Sequence, residues 1–216
     1  VGQTQAAQVA ERIASAGIPV RALVSSPLDR CVQTADLIAA QCNPTARTVD
    51  ARLGECVYGA WTGRPLAELA KDPLWRQIQD APSSVRFPDA PGYAGESFPE
   101  MRERAVAAVR DHDAAIETEF GAEPIWVAVS HGDIVKLILA DALATPLDEF
   151  QRIHVDPASI SVIRYAGSRP MVLRVNDRGG DLSSLVPAPA PTGAPEPTDG
   201  AGHGRHGDAI VGGGAG

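Results

Sequence analysis

Pro124-Ile125-Trp126-Val127-Ala128-Val129-Ser130-His131-Gly132-Asp133-Ile134-Val135-Lys136-Leu137-Ile138-Leu139 is the stretch on which the reading of the fold turns. Its first half is an apolar run behind a proline, rich in Val and too short for a lone helix, which reads as a buried strand. Apolar residues then return at helical spacing, at Ile134, Leu137, Ile138 and Ala142. Ser130-His131-Gly132 lies between the two patterns. A histidine therefore stands at the carboxyl end of a strand, on a glycine turn, at the mouth of a helix. In an open α/β sheet that edge is where ligands bind, and the first N–H groups of the helix favour an anion. The same histidine could equally be a turn residue that closes a helix start, so the rest of the chain has to decide.

Working outward, the same alternation repeats. Residues 4–16 predict a helix with Ala6, Val9, Ala10 and Ile13 on one face and Gly17 past its end. Val20 to Ser25 predicts a short strand. Ser26-Pro27 then opens a second helix, with Ser as N-cap, Pro as first helical residue and Asp29 in the first turn, running to about Gln41. Residues 45–49 form a third short strand. Residues 50–63 show no period; Gly54, Gly59 and Gly63 punctuate a loop that holds Glu55, Tyr58 and Trp61. Short helices follow at about 65–71 and near Trp75, and 81–96 is an irregular Pro/Gly-rich excursion expected to line the mouth of the site. Ser97-Phe98-Pro99-Glu100 has capping-box form and starts the longest helix, to about Phe120. His112 on its apolar face reads as a core or interface residue, and His154 as a solvated or packed one. Residues 159–165 and 171–176 alternate around a turn as a β-hairpin. Strands alternate with helices throughout, so the fold class is α/β, three layers, with a mostly parallel sheet flanked by helices.

The 216 residues are divided into a domain at 1–186 and a tail at 187–216, where 9 Gly, 6 Ala and 5 Pro among 30 residues cannot bury a core and predict disorder. With 44% hydrophobic residues the domain can bury a core. The net charge of −8 and the lack of any Lys/Arg run argue against nucleic acid as a partner. No run of membrane-spanning length and no signal peptide is visible, so no membrane association is expected. Cys31, Cys42 and Cys56 form no CxxC pair, which argues for a reducing, cytoplasmic location and against a metal site.

Common nucleophile signatures are missing. Six positions after each cysteine stand Leu37, Thr48 and Thr62, never the arginine of a cysteine-phosphatase loop, and there is no GxSxG, HExxH or Walker A motif. What remains is a constellation. Arg30 falls in the first turn of a helix that follows a strand, at the same sheet edge as His131, and arginine suits bidentate phosphate contact. Glu55 sits on a glycine loop that also follows a strand; a loop carboxylate becomes a general acid when burial or a nearby anion raises its pKa. Taken singly, Arg30 reads as a surface arginine and Glu55 as a solvated loop residue.

SSPLDRCVQTA, LGECVYGAWTG, AGES and VAVSHGDIVKLIL, in this order and spacing, resemble the histidine phosphatase superfamily, the phosphoglycerate mutase-like fold, from about Gly2 to Asn176. By that resemblance Arg30 is a phosphate-pocket arginine, Glu55 the proton donor to the leaving oxygen, and His131 the histidine that stabilises the phosphoryl group in flight. Gly132 offers a backbone N–H beside it. The chemistry implied is hydrolysis of a small phosphorylated metabolite through a phosphohistidine, with no metal and no cofactor. A phosphomutase of the same fold, or a non-catalytic phosphate binder, are the alternatives. The family opens with a strand ending in Arg-His-Gly whose histidine is the nucleophile, and this sequence starts at the helix expected after it. The first strand is therefore expected to be missing, its place lying between the Leu23 and Val127 strands, and the chain to be a truncation, or the product of a misplaced start, of an active parent that alone carries the nucleophile. Arg205-His206-Gly207 repeats the pair without a preceding strand and reads as coincidence.

Overall fold

The computed structural model describes residues 1–179 apart from Tyr93, Ala122, Gly167 and Ser168; the segment expected as a tail, with His206, lies outside the described residues. Helix α1 (Gly2–Ser15) leads into β1 (Val20–Ser25), α2 (Asp29–Cys42) and β2 (Ala46–Val49). Two short helices, α3 (Leu66–Leu69) and α4 (Pro73–Asp80), precede the long α5 (Phe98–Phe120). Then come β3 (Ile125–Val129), α6 (Gly132–Ala142) and the hairpin β4 (Ile160–Ala166) and β5 (Arg169–Asp177).

The first three strands form a parallel sheet in the order β2-β1-β3. Leu23 of β1 lies opposite Arg47 on one side and Val127 on the other. Helical crossovers force this parallel arrangement, so all three strands end at one edge. The ladders continue to that edge: Ser26 N–H donates to Val129 O at 2.9 Å, and Asp50 N–H to Ser25 O at 2.9 Å. β4 and β5 pair antiparallel as a separate hairpin.

Two apolar clusters flank the sheet. Val9, Ala10 and Ile13 of α1 meet Leu23 of β1 and Ala35 and Ile38 of α2. The larger cluster joins α5 and α6 to the loops before them, and through it runs a file of rings, Tyr58–Phe87 at 5.2 Å, Phe87–Phe98 at 5.7 Å and Phe98–Phe150 at 5.4 Å between centroids. α5 starts where the sequence places it, with both halves of the capping box made between Ser97 and Glu100.

Four expectations need correction. No strand separates the Leu23 and Val127 strands; β1 and β3 are hydrogen-bonded to each other directly. β3 is only half covered, with Ile125 46% exposed, because among the described residues it has a ladder partner on one side alone. α2 begins at Asp29, not Pro27: Ser26 Oγ accepts the Leu28 N–H at 3.3 Å, and extended Leu28 becomes the N-cap. The excursion at 81–96 does more than rim a site, since Val85 and Phe87 are completely enclosed in the core while Arg86 and Pro88 between and after them face out. His112 donates Nε2–H to Asp50 Oδ2, 2.9 Å away, with its ring tilted against that of Trp126 at 6.1 Å; exposed His154 finds Asp156 at 3.2 Å.

Asp50 ties the tip of β2 to the loop that follows. Its carboxylate accepts the Arg52 N–H at 2.8 Å, the Arg52 guanidinium at 2.8 Å and the His112 ring. The Arg52 side-chain hydrogen bonds, ahead of its backbone N–H and His112, hold the Asp50 carboxyl down at about 2, below its ordinary 3.8. A depressed carboxyl pKa stabilises the fold fully above the unfolded value and loses that contribution as pH falls through the folded one. Asp50→Asn is therefore expected to flatten the fall in the urea midpoint between pH 4 and pH 2. Parallel pH profiles for the two proteins would refute this account.

Candidate active site

His131 is the N-cap residue of α6, with extended backbone (φ −112°, ψ 158°) and no capping hydrogen bond from its side chain. The ring is thus free to lie across the strand tips instead of folding onto its own helix. It is 4% exposed. Gly132 is the first helical residue, so its backbone N–H belongs to the first turn, where helix donors have no intrahelical partner.

Three elements converge on the ring. Ser26, just past β1, places Oγ 2.7 Å from His131 Nε2. Arg30, in the first turn of α2, places Nη2 2.8 Å from Nδ1. Glu55, on the loop after β2, has Oε2 3.3 Å from the same Nη2 and 3.6 Å from Nδ1. Arg30, Glu55 and His131, separated by up to 101 positions in the chain, therefore share one small site at the sheet edge. A second tie keeps the loop against the histidine strand: Ser130 Oγ donates to Leu53 O at 2.7 Å.

The protonation states follow from the partners. A guanidinium has only donors, so Nδ1 accepts from Arg30 and the neutral ring carries its hydrogen on Nε2, donating to Ser26 Oγ. Burial first, then the charges of Arg30 and Arg104, push the His131 pKa down to about 4, so the imidazole is neutral at neutral pH. Glu55 moves the other way. Its burial, with a contribution from the Asp133 carboxylate, raises its pKa against the opposing pull of the Cys56 N–H and Arg30. A carboxyl biased toward its acid form thus stands beside a neutral imidazole and a fixed cation. The Arg30 side chain is 58% exposed and brings the site to solvent.

Sequence reasoning missed several neighbours. Ser26 has the sequence position of a helix cap, yet its hydroxyl lies closer to the imidazole, at 2.7 Å, than to the Leu28 N–H, at 3.3 Å. Cys31 lies beside the ring, with Sγ 3.4 Å from Ser130 O and 3.6 Å from Nε2, and burial raises its thiol pKa. Asp133 and Lys136 are buried together behind Gly132 at 3.2 Å, with Gln151 as a further acceptor for the ammonium. Arg104 and Glu96 brace the Glu55 loop from behind. None of these has a local signature, except that Asp133 and Lys136 stand three apart on a helix. A shallow cavity of about 220 Å³ between α2 and β2 is lined by Leu23, Val32, Ala35 and Val49 among others, and holds no imidazole or carboxylate.

Fold and site together define an α/β protein with an acid, a cation and a neutral imidazole at the carboxyl edge of a parallel sheet. The chain belongs to the histidine phosphatase superfamily (branch 1), which it matches over residues 1–178. It is 33% identical over 170 residues to the probable phosphoglycerate mutase GpmB of Yersinia pestis (strain Pestoides F), covering 78% of this chain and 73% of that one. Among solved structures it is similar to the mycobacterial glucosyl-3-phosphoglycerate phosphatase in its native form, at 25% identity and TM-score 0.67 over 82% of this chain and 86% of that one. The complex of that phosphatase with inorganic phosphate matches at 25% identity and TM-score 0.65, covering 81% and 84%. Among the described residues no helix is long and apolar enough to cross a membrane.

Proposed function

We propose that this chain is the phosphoryl-handling domain of a phosphomonoester hydrolase acting through a phosphohistidine on a small phosphorylated metabolite in the cytoplasm. The observation that carries the reading is the meeting of Arg30, Glu55 and His131 within 3.6 Å, with burial raising the Glu55 pKa and lowering that of His131. The three free cysteines, two of them buried, support the reducing location.

Arg30 turns its N–H groups to two phosphoryl oxygens, and the Gly132 N–H lies within the same helix start. His131 supplies an N–H to the phosphoryl group in flight. Once Arg30 has turned to the phosphoryl oxygens, Ser26 makes this possible by donating its hydroxyl hydrogen to Nε2, which leaves the ring's N–H on Nδ1. An acceptor histidine forms the P–N bond as the P–O bond to the alcohol breaks, and Glu55 gives its proton to the departing oxygen. Water then attacks phosphorus and gives a proton to Glu55 as the P–N bond breaks, which returns the acceptor histidine and releases phosphate. The stabilising role of His131 rests on the resemblance to the family; of the other described histidines, His112 pairs with Asp50 and His154 with Asp156.

A mutase reading is favoured by the name of the 33% identical relative; there a substrate hydroxyl replaces the water. Release of inorganic phosphate supports the hydrolase, and its retention on the substrate the mutase. Glu55→Gln tests the acid in either case. Turnover of alkyl phosphates is expected to fall by about 10²–10⁴-fold, and that of para-nitrophenyl phosphate much less, since nitrophenolate leaves without a proton. Equal small losses on both substrates would remove Glu55 from the mechanism.

A further inference from the structure

The Glu55 carboxyl is carried on a loop whose Leu53 and Cys56 are buried in the core. Arg104 of α5 gathers the carbonyls of that loop. Its Nη1 donates to Arg52 O at 2.6 Å and Gly54 O at 2.9 Å, and its Nη2 to Glu55 O at 3.2 Å. Nε and Nη2 also donate to Glu96 Oε1 and Oε2, at 2.5 and 2.9 Å. All five guanidinium N–H groups are used, which is the full donor capacity of the side chain. Glu96 closes the arrangement: Oε2 accepts the Val57 N–H at 3.2 Å, and its backbone N–H donates to Val57 O at 2.9 Å. Both side chains are largely withdrawn from solvent.

We propose that the Arg104–Glu96 pair is the positioning element of the acid, setting where the Glu55 carboxyl stands against Arg30 and His131. Three carbonyls on four consecutive residues, those of Arg52, Gly54 and Glu55, turn toward one cation. Without it their aligned dipoles repel, and three partly buried acceptors lose their donor. The loop then opens, Glu55 becomes more hydrated and its acid form is favoured less. A lysine cannot replace this: three ammonium donors can serve the carbonyls or the carboxylate, but not both in the planar arrangement a guanidinium gives. The same charge helps keep His131 neutral, so one side chain acts on both partners of the site. The inference rests on the reading of Glu55 as the proton donor, but its test does not require turnover.

The test is a pH titration of the Glu55 carboxyl carbon by ¹³C NMR in the full chain, with vanadate binding measured alongside. In Arg104→Met the Glu55 midpoint is expected to fall by about one pH unit. Vanadate binding is expected to weaken by about tenfold, with the far-ultraviolet circular dichroism retained and both effects partly recovered in Arg104→Lys. A folded Arg104→Met protein with an unchanged Glu55 midpoint overturns the proposal. Should that variant fail to fold, Glu96→Gln carries the same reading through vanadate binding, an affinity weakened by about tenfold supporting it and an unchanged one overturning it. A chain that shows the midpoint shift but handles no phosphomonoester keeps the clamp and discards the hydrolase.

Discussion

His131→Ala is expected to weaken the binding of inorganic phosphate or vanadate by roughly 10- to 150-fold, the equivalent of one hydrogen bond to a charged group. The turnover of any phosphomonoester should fall by about 10²–10³-fold, the usual loss when one donor to developing oxyanion charge is removed. The ring is bonded at once to Ser26, after β1, and to Arg30, on α2. Its removal also unseats the arginine, which then relaxes onto Glu55 or into solvent. The effect should be nearly the same at pH 6 and pH 8, because a histidine titrating at about 4 is neutral throughout that range. Isothermal calorimetry at the two pH values measures it. Binding within threefold of the parent protein would remove His131 from the anion site and, with it, the proposed function.

Gly95→Ala is expected to lower stability by about 3 kcal/mol or more, seen as a fall in Tm of about 6–12 °C for a domain of this size. A Cβ at Gly95 would stand 1.7 Å from Phe87 O and 2.5 Å from Phe87 C, both backbone atoms that cannot rotate away. The strip carrying Phe87 cannot retreat either. Phe87 N–H donates to Glu96 O at 3.0 Å, and its ring sits between Tyr58, Trp61 and Phe98 in the core. Gly95 is further pinned by its own N–H to Asp89 Oδ1 at 2.6 Å. Gly2→Ala, where a Cβ meets nothing within 4 Å, is the matched control. Scanning calorimetry on the three proteins decides; a Gly95→Ala protein melting with the control would contradict the close approach.

The fold was legible wherever a local period met a stop signal. β1 was read to its ends from six residues between Pro19 and Ser26, and α5 from the Ser97–Glu100 box. The site was legible for a related reason. Arg30, Glu55 and His131 each lie within a few residues of a strand end, and parallel strands bring their ends to one edge whatever their order. Strand order itself depends on pairing across a hundred residues, so the place assigned to the missing strand, between Leu23 and Val127, is instead closed by direct pairing of β1 with β3. The exposure of Ile125 has the same origin, since an apolar run shows what a strand could bury but not how many neighbours it has. Arg104 was invisible because its partners at 52–55 are some fifty residues away and are backbone carbonyls, which leave no trace in side-chain pattern. Phe87 was hidden within a Pro/Gly-rich stretch whose composition says surface.

Burial of Val85 and Phe87 gives the 81–96 excursion a mechanical character that its irregular backbone conceals. A segment with two side chains rooted in the interior behaves as a stiff collar, and it cannot lift as a hinged flap without tearing the ring file beneath it. The outward residues between and after those roots, Arg86, Pro88 and Asp89, are exposed, so substitutions tolerated in this segment are confined to them while the anchors stay fixed.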